Sequence, residues 1–576
     1  MSAGVFTPTE EQARIIRHDG SAFVVACPGA GKTRVLVECA RRLLADRSSG
    51  QGIAFLSFTI AAVSELEDRL RRESLIGTPA FPHFIGTFDA FLWQFLIAPF
   101  GVPGCAERPR LIPDKDEKLI QPFPGAQALP LECFDRSSGN AIPEQLAQQR
   151  FNRTTAPYET AARKMRVAFL VRGELDFTDA REIALNRLRN PVTLSVLSRA
   201  FAARFRELIV DEAQECNPVD LDIIRWFRDA GVPVKVICDP HQAIYGFRGG
   251  VTSELSTFAD TFPDHERLPM TGNFRSSCHI ARAIVAFRAP GTRDAIDEAL
   301  GDHRDEPTPV RVLSYCGTSA PDSIGTKFRE LTDAMGLDAR ECPVVAATRR
   351  IGARALGRPV DDDAKDLSYR LAVAVSNYHF SFELGGRKDA LEGLHKIIVE
   401  LEGHTADKTY HQHIVDTKLA PESWRPRTLE LAEALRFDPE RYATADAWLE
   451  HARNMLVPFL PADGGQSINL RLRRNRDLAK ALSKAPHVGH PARTIHSVKG
   501  MEFPAVCVVL STKTARKILD FLTATDSTTE NEEARKIYVG ASRAQRLLAI
   551  AVPRSQADRL VNHLQSTGAD VTLSAL

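Results

Sequence analysis

Short apolar runs and longer amphipathic stretches follow one another along the chain, and together they predict an α/β protein. Residues 22–26 (AFVVA) form an apolar run of strand length, whereas residues 33–44 (TRVLVECARRLL) repeat apolar positions at helical spacing. Another apolar run, within 206–215 (RELIVDEAQE), leads into adjacent carboxylates. A third, VPVKVIC, precedes the segment DPHQAIYGFRGG at 239–250. Segments such as LELAEALRF have the pattern of amphipathic helices.

Length and composition are those of a multidomain globular protein without a global basic field. With 576 residues the chain is too long for one core, so about two to four domains are expected. Lys and Arg together number 74 against 73 Asp and Glu, so nucleic-acid binding would need a local basic groove. The Arg-rich segment RLRRNR at 471–476 is more typical of a solvated helix face than of such a groove.

The cysteines and the N-terminal segment indicate a cytoplasmic protein. The ten cysteines are scattered without a CxxC pair, which argues against a zinc or iron–sulfur site, and free thiols suit a reducing cytosol. The segment MSAGVFTPTEEQ lacks the features of a signal peptide. No apolar run is long enough to span a bilayer, so no membrane partner is expected.

The segment CPGAGKT at 27–33 joins the first predicted strand to the first long helix and predicts a phosphate-binding loop. Gly29 and Gly31 allow backbone N–H groups to approach an anion at a helix N-terminus. Lys32 can reach the outer phosphates of a nucleotide, and Thr33 supplies a hydroxyl for Mg²⁺. Ala26 stands where the strict motif has glycine; the alternative is an ordinary glycine-containing turn.

Asp211 and Glu212 follow the second apolar run and predict a metal and water site. The strand would place one carboxylate near the metal and the other near an attacking water. Taken alone, the pair is more typical of exposed acids at a strand end. Its combination with the phosphate loop favours the catalytic interpretation.

Nine motifs in a fixed order resemble those of the superfamily 1 helicases of the UvrD/Rep/PcrA type. The resemblance extends almost from end to end of the chain. The motifs are FTPTEEQARII near residue 6, CPGAGKTR, SFTIAAVSELEDRL at 57, IGTFDAFL at 85, VDEAQE at 210, DPHQAIYGFRG at 239, TGNFRSS at 271, TIHSVKGMEF at 494 and EEARKIYVGASRAQ at 532.

The resemblance implies an ATP site. By similarity Gln12 reads the adenine edge, Arg34 and Phe274 enclose the base, and Glu502 accepts from the ribose hydroxyls. The loop residues expected to hold the phosphates are Pro28, Gly29, Ala30, Gly31, Lys32, Thr33 and Arg34.

The same resemblance implies a catalytic set. Besides Lys32 and Glu212, Gln242 resembles the sensor of the γ-phosphate and water, and Arg275 and Arg543 resemble the arginines that neutralise charge in the transition state. Thr33 and Asp211 would hold Mg²⁺. The alternative for each arginine is a surface ion pair.

A third implied set contacts nucleic acid, because aromatic rings can stack on unpaired bases regardless of sequence. Phe58 and Phe88 could equally be core residues, since aromatic side chains are more often buried. The set comprises Phe58, Thr59, Phe88, Tyr245, Phe247, Arg248, Thr494 and His496.

Some positions depart from the family pattern. Phe247 stands where relatives commonly have tryptophan, Ile60 and Ala61 where they have asparagine and lysine, and Asp89 where they have histidine. These changes leave the predicted ATP site intact. They indicate a weaker or differently tuned grip on the strand.

The resemblance implies two RecA-like α/β motor domains, each with parallel strands flanked by helices and interrupted by a mainly helical insertion. The expected bounds are 1–95 and 203–266 for the first motor (1A), 96–202 for its insertion (1B), 267–350 and 490–576 for the second motor (2A), and 351–489 for its insertion (2B).

The sequence therefore predicts a Mg²⁺- and ATP-dependent translocase or helicase acting on single-stranded DNA or a single/double-strand junction. Movement from 3′ to 5′ is implied by the resemblance alone, and an RNA track stays open. One alternative is a DNA-stimulated ATPase that regulates a separate nuclease, as in Gabija-type anti-phage systems, whose phosphate loops look similar (ACPGAGKT). Another is a P-loop enzyme acting on small molecules.

Overall fold

The chain forms two compact units. The computed structural model describes residues 6–45, 50–113, 115–243, 252–293, 297–357, 366–380, 384–404, 410–417, 419–461, 466–475, 477–482, 489–524 and 531–576. The first unit comprises Met1–Arg110, Phe177–Arg358 and Gly489–Leu576, and the second comprises Leu111–Asp176 and Pro359–Val488. Among the described residues, no helix combines the length and the apolar character needed to cross a lipid bilayer.

The strands are numbered along the chain. They are β1 (Ala22–Ala26), β2 (Gly52–Ser57), β3 (Phe84–Thr87), β4 (Arg110–Leu111), β5 (Leu119–Ile120), β6 (Leu129–Pro130), β7 (Glu174–Leu175), β8 (Phe205–Val210), β9 (Val234–Cys238), β10 (Arg267–Met270), β11 (Gly272–Asn273), β12 (Glu298–Ala299), β13 (Val310–Tyr315), β14 (Val344–Ala346), β15 (Ala492–Thr494), β16 (Phe503–Val509), β17 (Ala544–Pro553) and β18 (Val571–Ala575).

The helices are numbered in the same way. They are α1 (Glu10–Arg17), α2 (Lys32–Ala45), α3 (Ile60–Arg72), α4 (Phe88–Leu92), α5 (Pro143–Gln148), α6 (Ala156–Val171), α7 (Phe177–Arg189), α8 (Pro191–Arg204), α9 (Pro218–Asp229), α10 (Thr252–Ala259), α11 (Cys278–Ala286), α12 (Ser323–Ala334), α13 (Arg349–Ala355), α14 (Leu367–Phe380), α15 (Leu384–Leu401), α16 (Tyr410–Thr417), α17 (Pro421–Ala434), α18 (Ala445–Leu456), α19 (Ile468–Arg471), α20 (Leu478–Leu482), α21 (Ala515–Leu522), α22 (Glu532–Ala541) and α23 (Arg554–Gln565).

The first unit contains a six-stranded parallel sheet in the order β10-β1-β9-β8-β2-β3. Strands β2 and β9 are buried at every position, as expected for parallel strands covered on both faces. Because β1, β9 and β8 are neighbours, the segments that follow them lie at one edge of the sheet. Those segments are the predicted phosphate loop, the segment beginning at Asp239 and the Asp211–Glu212 pair.

A second six-stranded parallel sheet in the same unit has the order β15-β14-β16-β17-β13-β18. Its two faces carry separate apolar clusters, one containing Val508 and Ile550 and the other containing Cys507 and Ala549. Alternate residues of the same strands therefore enter opposite cores. Two parallel sheets flanked by helices confirm the predicted α/β class with two motor domains.

The bounds of the units differ from the predicted insertion limits. Helices α7 and α8, which were expected within the first insertion, belong to the unit that holds the sheets. The reason is that α7 packs on α4 and α9, where Arg181 forms ion pairs with Asp89 and Asp220, both at 2.7 Å. Residues 96–110 also belong to that unit.

The second unit is mainly helical. Its segment from Leu111 to Asp176 has a small core around Phe134, Phe151 and Tyr158. In its other segment α14, α15, α17 and α18 surround a core that includes the fully buried Trp448. The indole of Trp448 donates to the carbonyl of Leu435 at 2.8 Å.

Candidate nucleotide-binding and active site

A cavity of about 640 Å³ in the first unit collects most of the predicted site residues. Its volume is within the range typical of small-molecule sites, about 300–1,000 Å³. The predicted residues that line it are Pro28, Gly29, Ala30, Gly31, Lys32, Thr33, Arg34, Thr59, Asp211, Glu212, Gln242, Phe274, Arg275, His496, Glu502 and Arg543.

The phosphate loop needs glycine at two positions. Gly29 and Gly31 have φ of +71° and +77°, which lie in the left-handed region. A Cβ atom at Gly29 would come within 2.6 Å of both Arg275 Cβ and Asn273 Oδ1. The carbonyl of Gly29 also accepts from the backbone N–H of Phe274 at 2.8 Å. The loop is thus fitted closely against the segment that carries Phe274 and Arg275.

Gln12 supports the phosphate loop from behind. Its Nε2 donates to the carbonyl of Ala30 at 3.0 Å, and its Oε1 accepts from the backbone N–H of Thr9 at 3.1 Å. The Thr9 hydroxyl accepts in return from the Gln12 N–H, which forms a capping box at the start of α1. With 1% exposure Gln12 does not line the cavity, and its contact with adenine stays a prediction.

Lys32 lies against the acidic pair. Its Nζ is 3.2 Å from Glu212 Oε1. Burial alone would lower the pKa of Lys32, but the carboxylates of Glu212 and Asp211 outweigh it and raise this pKa above its usual value. Burial raises the pKa of Asp211, and the charge of Glu212 raises it further. Although burial opposes this, the ammonium groups of Lys32 and Lys499 lower the pKa of Glu212. Glu212 is therefore the more acidic member of the pair.

Lys499 is a site residue that the sequence interpretation missed. Its Nζ bonds to Glu215 Oε1, lies 3.9 Å from Glu212 Oε2 and donates to the carbonyl of Gln242 at 3.4 Å. Its position in the motif TIHSVKGMEF, between His496 and Glu502, was the available signal. The contact with an acid 284 residues earlier was not visible in the pattern.

Gln242 is held between two charged groups. Its Nε2 donates to Asp239 Oδ2 at 2.8 Å, and its Oε1 accepts from Arg543 Nη2 at 2.6 Å. Burial, together with the charge of Arg275, lowers the pKa of Arg543 to about 10, so this guanidinium is still charged at neutral pH. Gln242 follows the first sheet and Arg543 precedes β17 of the second.

Arg275 and Glu502 form an ion pair at 2.6 Å. Arg275 also donates to the carbonyl of Ser542 at 2.8 Å. Burial would raise the pKa of Glu502, but the neighbouring Arg275 outweighs it and lowers this pKa. Glu502, predicted to accept from the ribose hydroxyls, and Arg275, predicted to neutralise phosphate charge, are therefore paired with each other.

Arg34 and Phe274 line the same cavity, as a base-enclosing pair requires. The Arg34 guanidinium lies 3.1 Å from Glu73 and 3.3 Å from Glu38. It also stacks over the ring of Phe6, at 4.9 Å from the ring centroid. Phe6 was not predicted as a site residue, but its cation–π contact places it beside Arg34, a predicted contact of the base.

The residues predicted to contact nucleic acid differ in their exposure and in the contacts they make. Phe58 and Phe88 stack with ring centroids 5.5 Å apart, but Phe88 is only 1% exposed and lies beneath Phe58 as a core residue. Thr59 caps α3 by accepting from the N–H of Ala62, and Thr494 accepts from the N–H of Ser497. Tyr245, Phe247 and Arg248 lie outside the described residues.

The expected Mg²⁺ ligands are both oxygen donors at the cavity. Thr33 offers a hydroxyl and Asp211 a carboxylate. Within the described ranges, no group of three or more His, Cys, Asp or Glu residues could hold a metal ion by itself. Two protein oxygens fit Mg²⁺, because this ion is usually bound by one or two protein ligands together with water and substrate phosphates.

Comparison with known proteins finds two matching family profiles. The profile described as UvrD/REP helicase N-terminal domain matches residues 8–263, and the profile described as UvrD-like helicase C-terminal domain matches residues 478–555. These ranges include the phosphate loop, the Asp211–Glu212 pair, Gln242 and Arg543.

Curated relatives carry related names. The chain is 27% identical over 314 residues to the ATP-dependent DNA helicase UvrD1 of Mycobacterium tuberculosis, and this match covers 49% of the chain and 40% of that protein. It is 25% identical over 288 residues to DNA helicase II of Escherichia coli, covering 46% and 38%. It is 26% identical over 298 residues to the ATP-dependent DNA helicase PcrA of Staphylococcus epidermidis, covering 49% and 40%. The matched part of the chain thus spans about 40% of the length of these relatives.

Proposed function

Because this chain belongs to the UvrD-type family of superfamily 1 helicases, we propose that it is an ATP-dependent DNA helicase that moves along single-stranded DNA. The observation that carries the proposal is the hydrogen bond from Arg543 to Gln242 at 2.6 Å. It joins a residue of the second motor to the predicted phosphate sensor of the first. An ATPase site built from both motors is what a motor driven by their relative movement needs.

Each group at the cavity has a part in hydrolysis of ATP to ADP and phosphate. The loop N–H groups and Lys32 bind the phosphates. Thr33 and Asp211 would hold Mg²⁺, which neutralises phosphate charge when bound. Glu212, the more acidic carboxylate, accepts a proton from the attacking water and orients it, with Gln242 as the second contact of that water.

The two arginines act on the charge that develops on the phosphates. Arg275 lies next to the phosphate loop, because the backbone N–H of its neighbour Phe274 donates to the carbonyl of Gly29. Arg543 contacts the first motor through its hydrogen bond to Gln242. Both guanidinium groups suit phosphate oxygens geometrically. Once hydrolysis frees the two arginines from the phosphates, the motors would separate. Tight binding of the strand by one motor and then by the other would advance the protein.

Movement from 3′ to 5′ is part of the proposal and rests on family membership. Strand displacement on duplexes with a 3′ or a 5′ single-stranded tail tests it, and displacement from the 5′ tail alone would contradict it. The alternative, a DNA-stimulated ATPase that regulates a separate nuclease in anti-phage defence, is favoured only by the similar loop ACPGAGKT. Tight co-purification with a nuclease, without strand displacement, would support it.

Steady-state ATP hydrolysis with and without single-stranded DNA tests the function itself. We expect stimulation by DNA, abolition of turnover in Lys32→Ala, and loss of the stimulation alone in a Tyr245→Ala, Phe247→Ala double variant. Lys327→Ala is the control, because Lys327 forms an exposed pair with Glu330 on α12. Full turnover in Lys32→Ala, or turnover indifferent to DNA, would refute the assignment.

A further inference from the structure

A continuous chain of buried polar side chains leads from the second motor to Gln242 without passing through Arg543. Asp297 accepts from Arg288, and the Tyr538 hydroxyl interacts with Arg288 and donates to Asp239 Oδ2 at 3.2 Å. Asp239 in turn accepts from Gln242 at 2.8 Å. The exposed fractions of Asp297, Arg288, Tyr538, Asp239 and Gln242 are all 4% or less.

We propose that Tyr538 and Arg288 are positioning residues for ATP hydrolysis, acting on Gln242 through the carboxylate of Asp239. The inference rests on the proposed function and deepens it. It assigns a role to two residues outside the predicted catalytic set.

The chemistry of the amide explains why such positioning is needed. A glutamine amide has a donor end and an acceptor end, and only one orientation offers Oε1 to Arg543. Donation from Nε2 to Asp239 selects this orientation. Asp239 is fixed in turn by the N–H of His241 at 3.1 Å and by Tyr538, while its own backbone N–H donates to Gln214.

Tyr538 is itself held from several directions. Its ring meets the ring of His241 edge to face at 5.5 Å, and the Arg288 guanidinium lies 5.9 Å from its centroid. Asp297 holds Arg288 just before β12, the strand that pairs with β11. Strand β11 ends at Asn273, whose Oδ1 accepts from the N–H of Arg275 at 2.9 Å. The polar chain therefore starts beside the strand pair that precedes Arg275, passes through the helix that leads to Arg543, and ends at Gln242.

Tyr538→Phe is the test, because it removes one hydroxyl and keeps the ring. Asp239 would lose one of its donors in a buried site, so the amide of Gln242 would be less firmly oriented. With saturating single-stranded DNA, we expect kcat for ATP hydrolysis to fall about 10-fold while KM for ATP changes less than about twofold. Arg288→Lys, which keeps a cation for Asp297, should reduce kcat in the same direction.

Tyr315→Phe is the matched control. Tyr315 is 1% exposed in the second sheet, and its hydroxyl donates to the carbonyl of Leu510 at 2.7 Å, away from the cavity. Both variants should lower the melting temperature to a similar degree, but only Tyr538→Phe should lower kcat. An equal loss of kcat in both would overturn the proposal, since it would then report stability alone.

A double variant identifies the route. If Tyr538 acts through Gln242, adding Tyr538→Phe to Gln242→Ala should cause no further loss of kcat. An independent, multiplicative loss, or an unchanged kcat in Tyr538→Phe, would overturn the inference. Absence of ATP hydrolysis in the unmodified chain would instead refute the proposed function, so the two failures are distinguishable.

Discussion

Arg543 donates to the side-chain oxygen of Gln242 at 2.6 Å, and the two side chains are 2% and 3% exposed. A charged donor so well shielded from water interacts with its partner through a low local dielectric. The pair is therefore sensitive to any change in the separation of the two motor sheets.

Arg543→Ala should reduce kcat for ATP hydrolysis by about 10³-fold or more, as loss of an arginine that stabilises transition-state charge does in other phosphoryl-transfer enzymes. Nucleotide binding, measured with a fluorescent ATP analogue, should persist. Arg546→Ala is the control, because Arg546 lies three residues further along and pairs with Glu306 at 2.9 Å. Retention of more than about a tenth of kcat in Arg543→Ala would contradict the role assigned to it.

Arg181→Met should destabilise the first unit by about 3 kcal/mol, because it leaves a buried carboxylate without its cation. Arg181 donates to Asp220, which is 1% exposed, and pairs with Asp89, whose side chain is 31% exposed. Asp89→Asn should therefore cost less, about 1 kcal/mol at most. Asp89 is one of the positions that depart from the family pattern, and its ion pair with Arg181 accounts for an acidic side chain there.

The pH dependence of this loss has a definite sign. Burial raises the pKa of Asp220 to about 6 even though Arg181 opposes the shift. Without the cation, Asp220 is costly only while it is ionised, so protonation relieves the penalty. Loss of the cation raises the pKa of Asp220 further, so in denaturant unfolding the difference between wild type and Arg181→Met should be largest at alkaline pH and shrink as the pH falls towards about 6. A difference that grows on acidification would show that the lost contact is not electrostatic.

The sequence predicts local features of the site well and long-range contacts poorly. The apolar run at 22–26 and the helical pattern at 33–44 are local, so the position of the phosphate loop between them follows directly. The contact of Gln12 with Ala30, the pairing of Lys499 with Glu215 and the burial of Phe88 depend on packing between distant segments. No periodicity within one segment encodes such contacts.

Protonation of His395 should weaken the second unit in acid. His395 is 5% exposed, stacks on Trp424 at 4.2 Å, and its Nδ1 is 2.7 Å from the Tyr410 hydroxyl. Burial lowers its pKa to about 4, with a further contribution from His413 and an opposing one from Glu392. The unfolded chain then binds a proton that the folded chain does not, so stability is lost as the pH falls from about 6.5 towards 4.

The expected loss is about 2 kcal/mol between about pH 7.5 and pH 5, measured by urea unfolding with tryptophan fluorescence. His395→Gln should remove this pH-dependent loss of unfolding free energy, whatever the substitution does to stability at neutral pH. The exposed His265→Gln should keep the wild-type difference. An unchanged pH dependence in His395→Gln would mean that another group is responsible.

Phe58→Ala and Phe88→Ala should separate strand binding from folding, since the stacked rings differ in exposure. Phe58 is partly exposed, and its loss should weaken binding of labelled oligothymidine about 10-fold, within the range for one stacking contact, with little change in melting temperature. Phe88 is 1% exposed, so its truncation should instead destabilise the protein by about 3–5 kcal/mol through a cavity. Fluorescence anisotropy and thermal unfolding measure the two effects. If Phe88→Ala melted like the wild type but failed to bind the strand, the ring would be a base contact rather than the support beneath Phe58.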